Sequence, residues 1–303
     1  MKILLKTAMA LSLAGFAACP AQAQFPNLGS LLNKAQNAKK IGDGLRSISQ
    51  EEEIKLGGDL AGMILGAAPL IKDDAKQRYV NELGRWLASH CSRPDLPWKF
   101  GIIDSPDYNA FSMPGGYVLI TRGLFDQMRN ESELAGVLAH EIAHVERKDH
   151  LNALQRSMRE QALGDMQQYF RGPGGIASQF TTALLAAGKD IYTHGLNKGD
   201  EFDADRNGVV IAARSGFSPF GLVGVLQTLS GQSDTSGRAL HDRTHPLAAE
   251  RIDRLDLAMG TQFDAMTGVV DDLPSFVALR TPPPPPPPPA QAKPPVRKGK
   301  RRG

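Results

Sequence analysis

The chain predicts an α+β fold, mainly helical, with one small sheet. Three observations predict it. Apolar residues recur at helical spacing over several long stretches, most clearly through Leu134, Val137, Leu138, Ile142 and Val145. Three short runs between residues 98 and 121 instead read as strands broken by turn residues. The two ends of the 303-residue chain, an apolar leader and a proline run, differ in composition from everything between them.

In chain order, Ser49 precedes a helix running to about Gly66, and a second spans about Asp74 to His90. Trp98–Ile103 reads as a strand. Asp107–Ser112 and Tyr117–Thr121 read as two more, joined by Met113-Pro114-Gly115-Gly116, whose proline and glycines suit a turn. Asn130 is the N-cap of the next helix, with Glu133 three residues on as a capping box. Arg171–Gly175 breaks a helix, and Ile176–Ala187 follows as a moderately apolar segment, a surface helix or a cover over a cleft. A helical segment returns within the run Gly199–Pro219 and a further helix at Ser218–Leu229, separated from His241 and His245 by the Ser/Gly-rich loop Gly231–Gly237.

The helix begun by Asn130 carries the chemistry. His140 and His144 lie four apart, so both rings leave one face and reach one ion, and Glu141 falls beside that ion. There a carboxylate takes a proton from a metal-activated water. Ala139 and Ala143 flank the histidines with small side chains and leave room for ion and substrate. Such a site needs a third protein ligand, and the acidic helix GDEFDADRNG offers Glu201, with Asp205 one turn later to accept a hydrogen bond from the outer nitrogen of His140. A solvated acidic face is the competing reading of that run.

Taken together, VLAHEIAHVERKDH, EFDADRNG and THPLAAERI resemble the zinc metallopeptidases that include the CAAX prenyl endopeptidases and soluble bacterial envelope quality-control proteases, the gluzincin type. NAFSMPGGYVLITRGLF and EEEIKLG extend the resemblance over about Ser47–Leu257. It implies a zincin-like domain with a sheet edge beside the H-E-x-x-H helix and one Zn²⁺ per subunit. The implied metal ligands are His140, His144 and Glu201, and the implied base is Glu141. His245 matches the family's H-P histidine near the metal, and Arg251 the arginine that follows. Two roles stay open for His245: stabilising the oxyanion, which Arg251 also offers to do, or closing the metal's open position at rest. One departure is Lys198, where the family often has arginine; lysine keeps the charge but loses the planar fork. The strand pair supplies a candidate edge for peptide substrates at Asn109 through Tyr117, with Gly115 and Gly116 between.

The ends bear on location. Lys2 and Lys6, an apolar run from Thr7 to Ala18, and Ala21-Gln22-Ala23 form a cleavable export signal over 1–23, placing the protein in the periplasm. The alternative is lipoprotein processing at Cys19, without the usual aliphatic lipobox start. Residues 24–275 are then the catalytic domain and 276–303 a disordered tail. In that tail Pro282–Pro289 extends as polyproline II for about 25 Å. Six tail cations (Lys293, Arg297, Lys298, Lys300, Arg301, Arg302) and the two leader lysines account for the basic balance. Removing them from the formal +3 leaves the body near −5, which excludes a nucleic-acid binder. The tail either touches anionic envelope surfaces or only solubilises the chain. Cys91 has no thiol partner to fold against and reads as a buried apolar residue. Expected partners are protein or peptide substrates and, by the resemblance, outer-membrane assembly machinery. The competing class is a periplasmic chaperone or assembly factor whose zinc is structural.

Overall fold

A computed structural model describes residues 48–164, 192, 194–231, 239 and 241–280. The expected export signal, Cys19, the 176–187 segment, most of the 231–237 loop and the proline tail lie outside them. Helix α1 (Gln50–Ala67) opens with the full capping box of Ser49 and Glu52. α2 (Asp74–Ala88) is capped by Asp73. The strands are β1 (Lys99–Ile103), β2 (Ala110–Met113) and β3 (Tyr117–Thr121), followed by α3 (Arg122–Gln127). Then come α4 (Glu131–Arg147), α5 (Asp149–Gly164), α6 (Lys198–Arg214), α7 (Gly221–Gly231), α8 (His241–Thr244), α9 (Ala248–Met259) and α10 (Pro274–Arg280).

The expected mainly helical α+β class holds. The sheet is mixed, in the order β1-β3-β2: β3 pairs parallel with β1 and antiparallel with β2. Phe100, Ile102, Ala110, Val118 and Ile120 share one core with Leu134, Leu138 and Ile142 of α4. By period-two alternation, Phe111 and Leu119 point to the opposite face, where α1 lies.

α4 is buried from Glu131 through Val145, as befits a helix crossing the centre of a domain. Asn130 caps it by accepting from the Glu133 N–H. The reciprocal half of the expected box is not made. The Glu133 carboxylate instead takes the backbone N–H and guanidinium of Arg129, because a charged donor outcompetes the cap amide.

The tail boundary expected at 275 moves outward. Phe276 is fully buried and packs against Tyr79 and Phe125. Asp272 accepts from the Glu131 N–H and the Asp271 carbonyl from the Ser132 N–H, so this segment closes over the start of α4. Phe276 opens an apolar run of four residues, Phe276–Leu279, too short for a periodic signal to mark it as core. Cys91 is buried, as expected. Among the described residues no helix is long and apolar enough to cross a membrane.

Candidate metal centre and substrate edge

Helical geometry puts His140 and His144 on one face of α4, with their Nε2 atoms 3.2 Å apart. Both are at most 3% exposed. α6 crosses beside them and brings Glu201 in. One Glu201 carboxylate oxygen lies 3.5 Å from His144 Nε2, and the other 3.7 Å from His140 Nε2. A zinc ion with tetrahedral bonds of about 2.1 Å separates its ligands by roughly 3.4 Å, and the two histidine nitrogens, with one Glu201 oxygen toward each, stand near that separation. The donor set agrees. Two imidazole nitrogens facing each other cannot both donate, and Glu201 Oε2 is buried with no hydrogen-bond partner among the described residues.

One helix crossing and one tight turn make this possible. Gly208 on α6 packs against the α4 backbone at His140, where an added Cβ would stand 2.9 Å from the His140 Cα. Only glycine permits that approach, two turns from Glu201. Lys148 ends α4 in the left-handed conformation (φ 60°) and turns the chain straight into α5. Asp149 thereby reaches back to His144.

Each histidine's outer nitrogen has a carboxylate. His140 Nδ1 meets Asp205 Oδ1 at 2.9 Å, the bond expected from the spacing of Glu201 and Asp205. His144 Nδ1 meets Asp149 Oδ2 at 3.0 Å. These contacts leave each Nε2 aimed at the ion position and fix both ring orientations. Arg251 Nε and Nη2 grip Asp205 at 2.9 and 2.5 Å. Arg147 binds Asp149 at 3.1 Å and Asp203 at 2.9 Å. Asp205 is held well below the usual carboxylate range: burial opposes this, but Arg251 and His140 outweigh it. Burial raises Glu201. Burial also pulls His144 down, yet Glu201, Asp149 and Glu141 together push it up to about 9. A dense buried group of carboxylates favours positive charge between them.

The expectation that Arg251 faces the reacting atoms is corrected. Its Nη2 lies 3.4 Å from His140 Nδ1, the side of the ring turned away from Nε2. It is 2% exposed and committed to Asp205, which makes it a positioning residue. Lys198, at the departure from the family pattern, pairs with Glu250 at 2.8 Å on the surface.

His245 follows α8. Its Nε2 is 3.7 Å from Glu201 Oε2, and ligand atoms of His140, Glu201 and His245 all lie within 4.8 Å of one another. Its Nδ1 meets Thr244 Oγ1 at 2.9 Å and its ring stacks on His241. Burial, with His241 and Arg251 nearby, holds it well below the ordinary histidine range, so the ring is neutral and able to bind a metal.

The cleft beside these residues is lined by Glu141, His144, Glu201 and His245 on one side and by Asn109, Ala110, Phe111 and Ser112 on the other. Of the two sheet edges, β1 is closed: Gln77 bonds both Ile102 N–H and carbonyl, and Asn81 takes the Phe100 N–H. β2 is the edge facing the cleft. Thr121 N–H donates to the Asn109 carbonyl, so alternation turns the backbone groups of Ala110 and Ser112 outward. The Tyr192 hydroxyl donates to the Ser112 carbonyl at 2.9 Å. The edge expected over Asn109–Tyr117 is therefore shortened to Asn109–Ser112. Tyr117 sits in β3, paired on both sides. Gly115 (φ 77°) and Gly116 (φ 98°) form the turn, where Gly115 N–H donates to the buried carboxylate of Glu53.

Sequence reasoning missed Asp149, Gly208 and Tyr192. His150 lies between the His144 ring and Tyr192, stacked on the latter at 5.1 Å. Asp149 carried a signal within reach, an acid directly after a basic helix end.

The model of peptidase family M48 matches residues 74–258, which hold every proposed ligand. The chain belongs to peptidase family M48. It is 32% identical over 213 residues to the beta-barrel assembly-enhancing protease of Escherichia coli K12, covering 68% of this chain and 43% of that protein. It is also 30% identical over 159 residues to metalloprotease YcaL of the same organism, covering 51% of this chain and 59% of YcaL. To the mitochondrial metalloendopeptidase OMA1 of Schizosaccharomyces pombe it is 25% identical over 179 residues, covering 59% of this chain and 51% of that protein. The chain thus spans less than half the length of the beta-barrel assembly-enhancing protease.

Proposed function

We propose that this M48 protein is a zinc-dependent endopeptidase of the bacterial cell envelope, of the soluble branch related to the CAAX prenyl endopeptidases, acting on misfolded or stalled envelope proteins. The observation that carries the hydrolytic reading is the convergence of His140, His144 and Glu201 at 3.2 to 3.7 Å beside Glu141, in a cleft bounded by a sheet edge. An extended peptide adds to β2 through the outward groups of Ala110 and the Ser112 N–H, the Ser112 carbonyl being held by Tyr192, which aligns its backbone with the metal position. His140, His144 and Glu201 would hold a zinc ion, which would supply acidity to a bound water and polarisation to the scissile carbonyl. Glu141 accepts the proton from that water and delivers it to the leaving amine. Asp205 and Asp149 hold the two imidazoles in the tautomer that leaves Nε2 free, and Arg251 and Arg147 hold the acids in turn.

The envelope setting rests on the export signal read in residues 1–23, or lipid attachment at Cys19, and on the name of the beta-barrel assembly-enhancing relative. That name also motivates the proposal of outer-membrane assembly machinery as partner, with the basic tail contacting anionic surfaces. A second reading has a specific observation behind it. His245 stands within ligand range, and four protein ligands make a closed site of the structural or regulated kind, as in an assembly factor. Casein digestion separates the two. Chelation should abolish cleavage and zinc should restore it; a zinc-loaded protein that folds, loses stability on chelation and never cleaves would favour the assembly factor.

A further inference from the structure

Behind the catalytic cleft lies a second, larger cavity of about 420 Å³ on the α1 face of the sheet. Leu60, Met63 and Ile64 of α1 form one wall and Ile103 of β1 the floor. Phe111 and Tyr192 line both this cavity and the catalytic cleft, so the two are neighbours across one pair of rings, whose centroids are 6.3 Å apart. The polar groups at its far end are engaged: Ser105 Oγ donates to the Asp107 carboxylate, and Thr121 Oγ1 to the Asp107 carbonyl. Met63 is 43% exposed at the mouth.

We infer that this cavity is the specificity pocket for one large apolar side chain of a peptide bound at β2. The inference rests on the peptidase reading and adds the substrate's chemistry to it. A strand added to β2 continues the pleat, so its side chains alternate between the two faces of the sheet. One set points to the α4 face, where the histidines lie. The other set points to the α1 face, and the cavity opens at the same edge, beside Phe111. The side chain entering it belongs to a residue adjacent in sequence to one facing the metal side. A pocket walled by leucine, isoleucine, methionine and phenylalanine, with one Asp107 carboxylate oxygen held by Ser105, favours apolar over polar occupants.

The test uses paired peptides differing at single positions, phenylalanine against serine, with the full-length zinc-loaded protein. At one position only, kcat/KM should favour phenylalanine by about 10-fold or more. Met63→Glu, which places a charge at the mouth of the cavity, and Ala67→Trp, which fills its rim, should each reduce that ratio by about 10-fold. Circular dichroism checks that both variants fold. A wild type that cleaves with no positional preference, or a ratio unchanged in both variants, overturns the pocket and leaves the peptidase reading standing. If the wild type cleaves nothing, the peptidase reading fails separately, and fluorescence anisotropy with the same peptides on Glu141→Gln decides the pocket. Tighter binding of the phenylalanine peptide, lost in Glu141→Gln with Met63→Glu, supports it; equal binding of both peptides overturns it.

Discussion

Replacing Gly208 with alanine tests how the metal centre is assembled, without touching a ligand. The new methyl carbon would stand 2.9 Å from both the Cα and the N of His140. Non-bonded carbons rest at about 3.5 to 4.0 Å, so α6 and α4 must separate locally by roughly 0.5 Å or more. Both contacts are backbone, and no flexible side chain is there to yield. Glu201 rides on the same helix as Gly208, and its oxygens stand 3.5 and 3.7 Å from the two histidine nitrogens. Zinc sites tolerate about 0.2 Å in ligand distance, so the displacement exceeds what the site absorbs. Overpacking of this kind costs about 1–3 kcal/mol of stability. Zinc affinity should fall on the order of 10- to 100-fold, as when supporting groups of a metal site are lost. Chelator competition measures the affinity and thermal unfolding of the apoprotein the stability. Gly62→Ala is the control: nothing stands within 4 Å of its Cβ position. If Gly208→Ala bound zinc as tightly as the wild type and melted at the same temperature, the close crossing would not be what positions Glu201.

Three further outcomes follow from the same contacts. Glu201→Gln should release zinc far more readily than Asp203→Asn, with Asp205→Asn between them at about 10- to 100-fold, measured as zinc content after dialysis against chelator. Glu53 is fully buried and holds Arg93 through two bonds and the Gly115 N–H through a third. Glu53→Gln should therefore cost about 3 kcal/mol near neutral pH in denaturant unfolding. Burial works against ionisation of Glu53, but Arg93, Gly115 and Lys148 lower its pKa below the ordinary 4.5. Its contribution is accordingly full above pH 4.5 and lost as pH falls through the lowered value, so the acid slope of stability should flatten in the variant. With zinc content matched, His245→Ala should raise basal casein cleavage if the ring closes the metal's open position, as its distance to Glu201 favours. Reduced cleavage would instead assign it to the transition state.

Much of this was legible in the chain. Spacing alone places His140, Glu141 and His144, because a helix converts an interval of four into a shared face. The Glu201–Asp205 interval foretold the bond to His140 Nδ1 by the same logic. The sheet was legible as three strands, yet their order was not. A run that reads Asn109–Tyr117 gives no sign that Tyr117 lands in the central strand, which depends on β1 crossing over to pair with β3. Arg251 was identified as important but turned the wrong way, since sequence gives neighbours along the chain and not the side of a ring. Gly208 and Asp149 act through contacts between helices and through a left-handed turn at Lys148, a conformation lysine seldom signals. Phe276 is a single aromatic that finds its partners, Tyr79 and Phe125, some 150 or more residues earlier.

The central claim is that Glu141 moves the proton at a metal centre held by its neighbours. The direct measurement is the rate of casein and peptide cleavage by Glu141→Gln at the same zinc content and melting temperature as the wild type. Cleavage should drop on the order of 10²- to 10⁴-fold, the worth of a positioned acid–base group, while zinc stays bound. A metal-loaded, folded Glu141→Gln protein that cleaves at the wild-type rate would contradict the account.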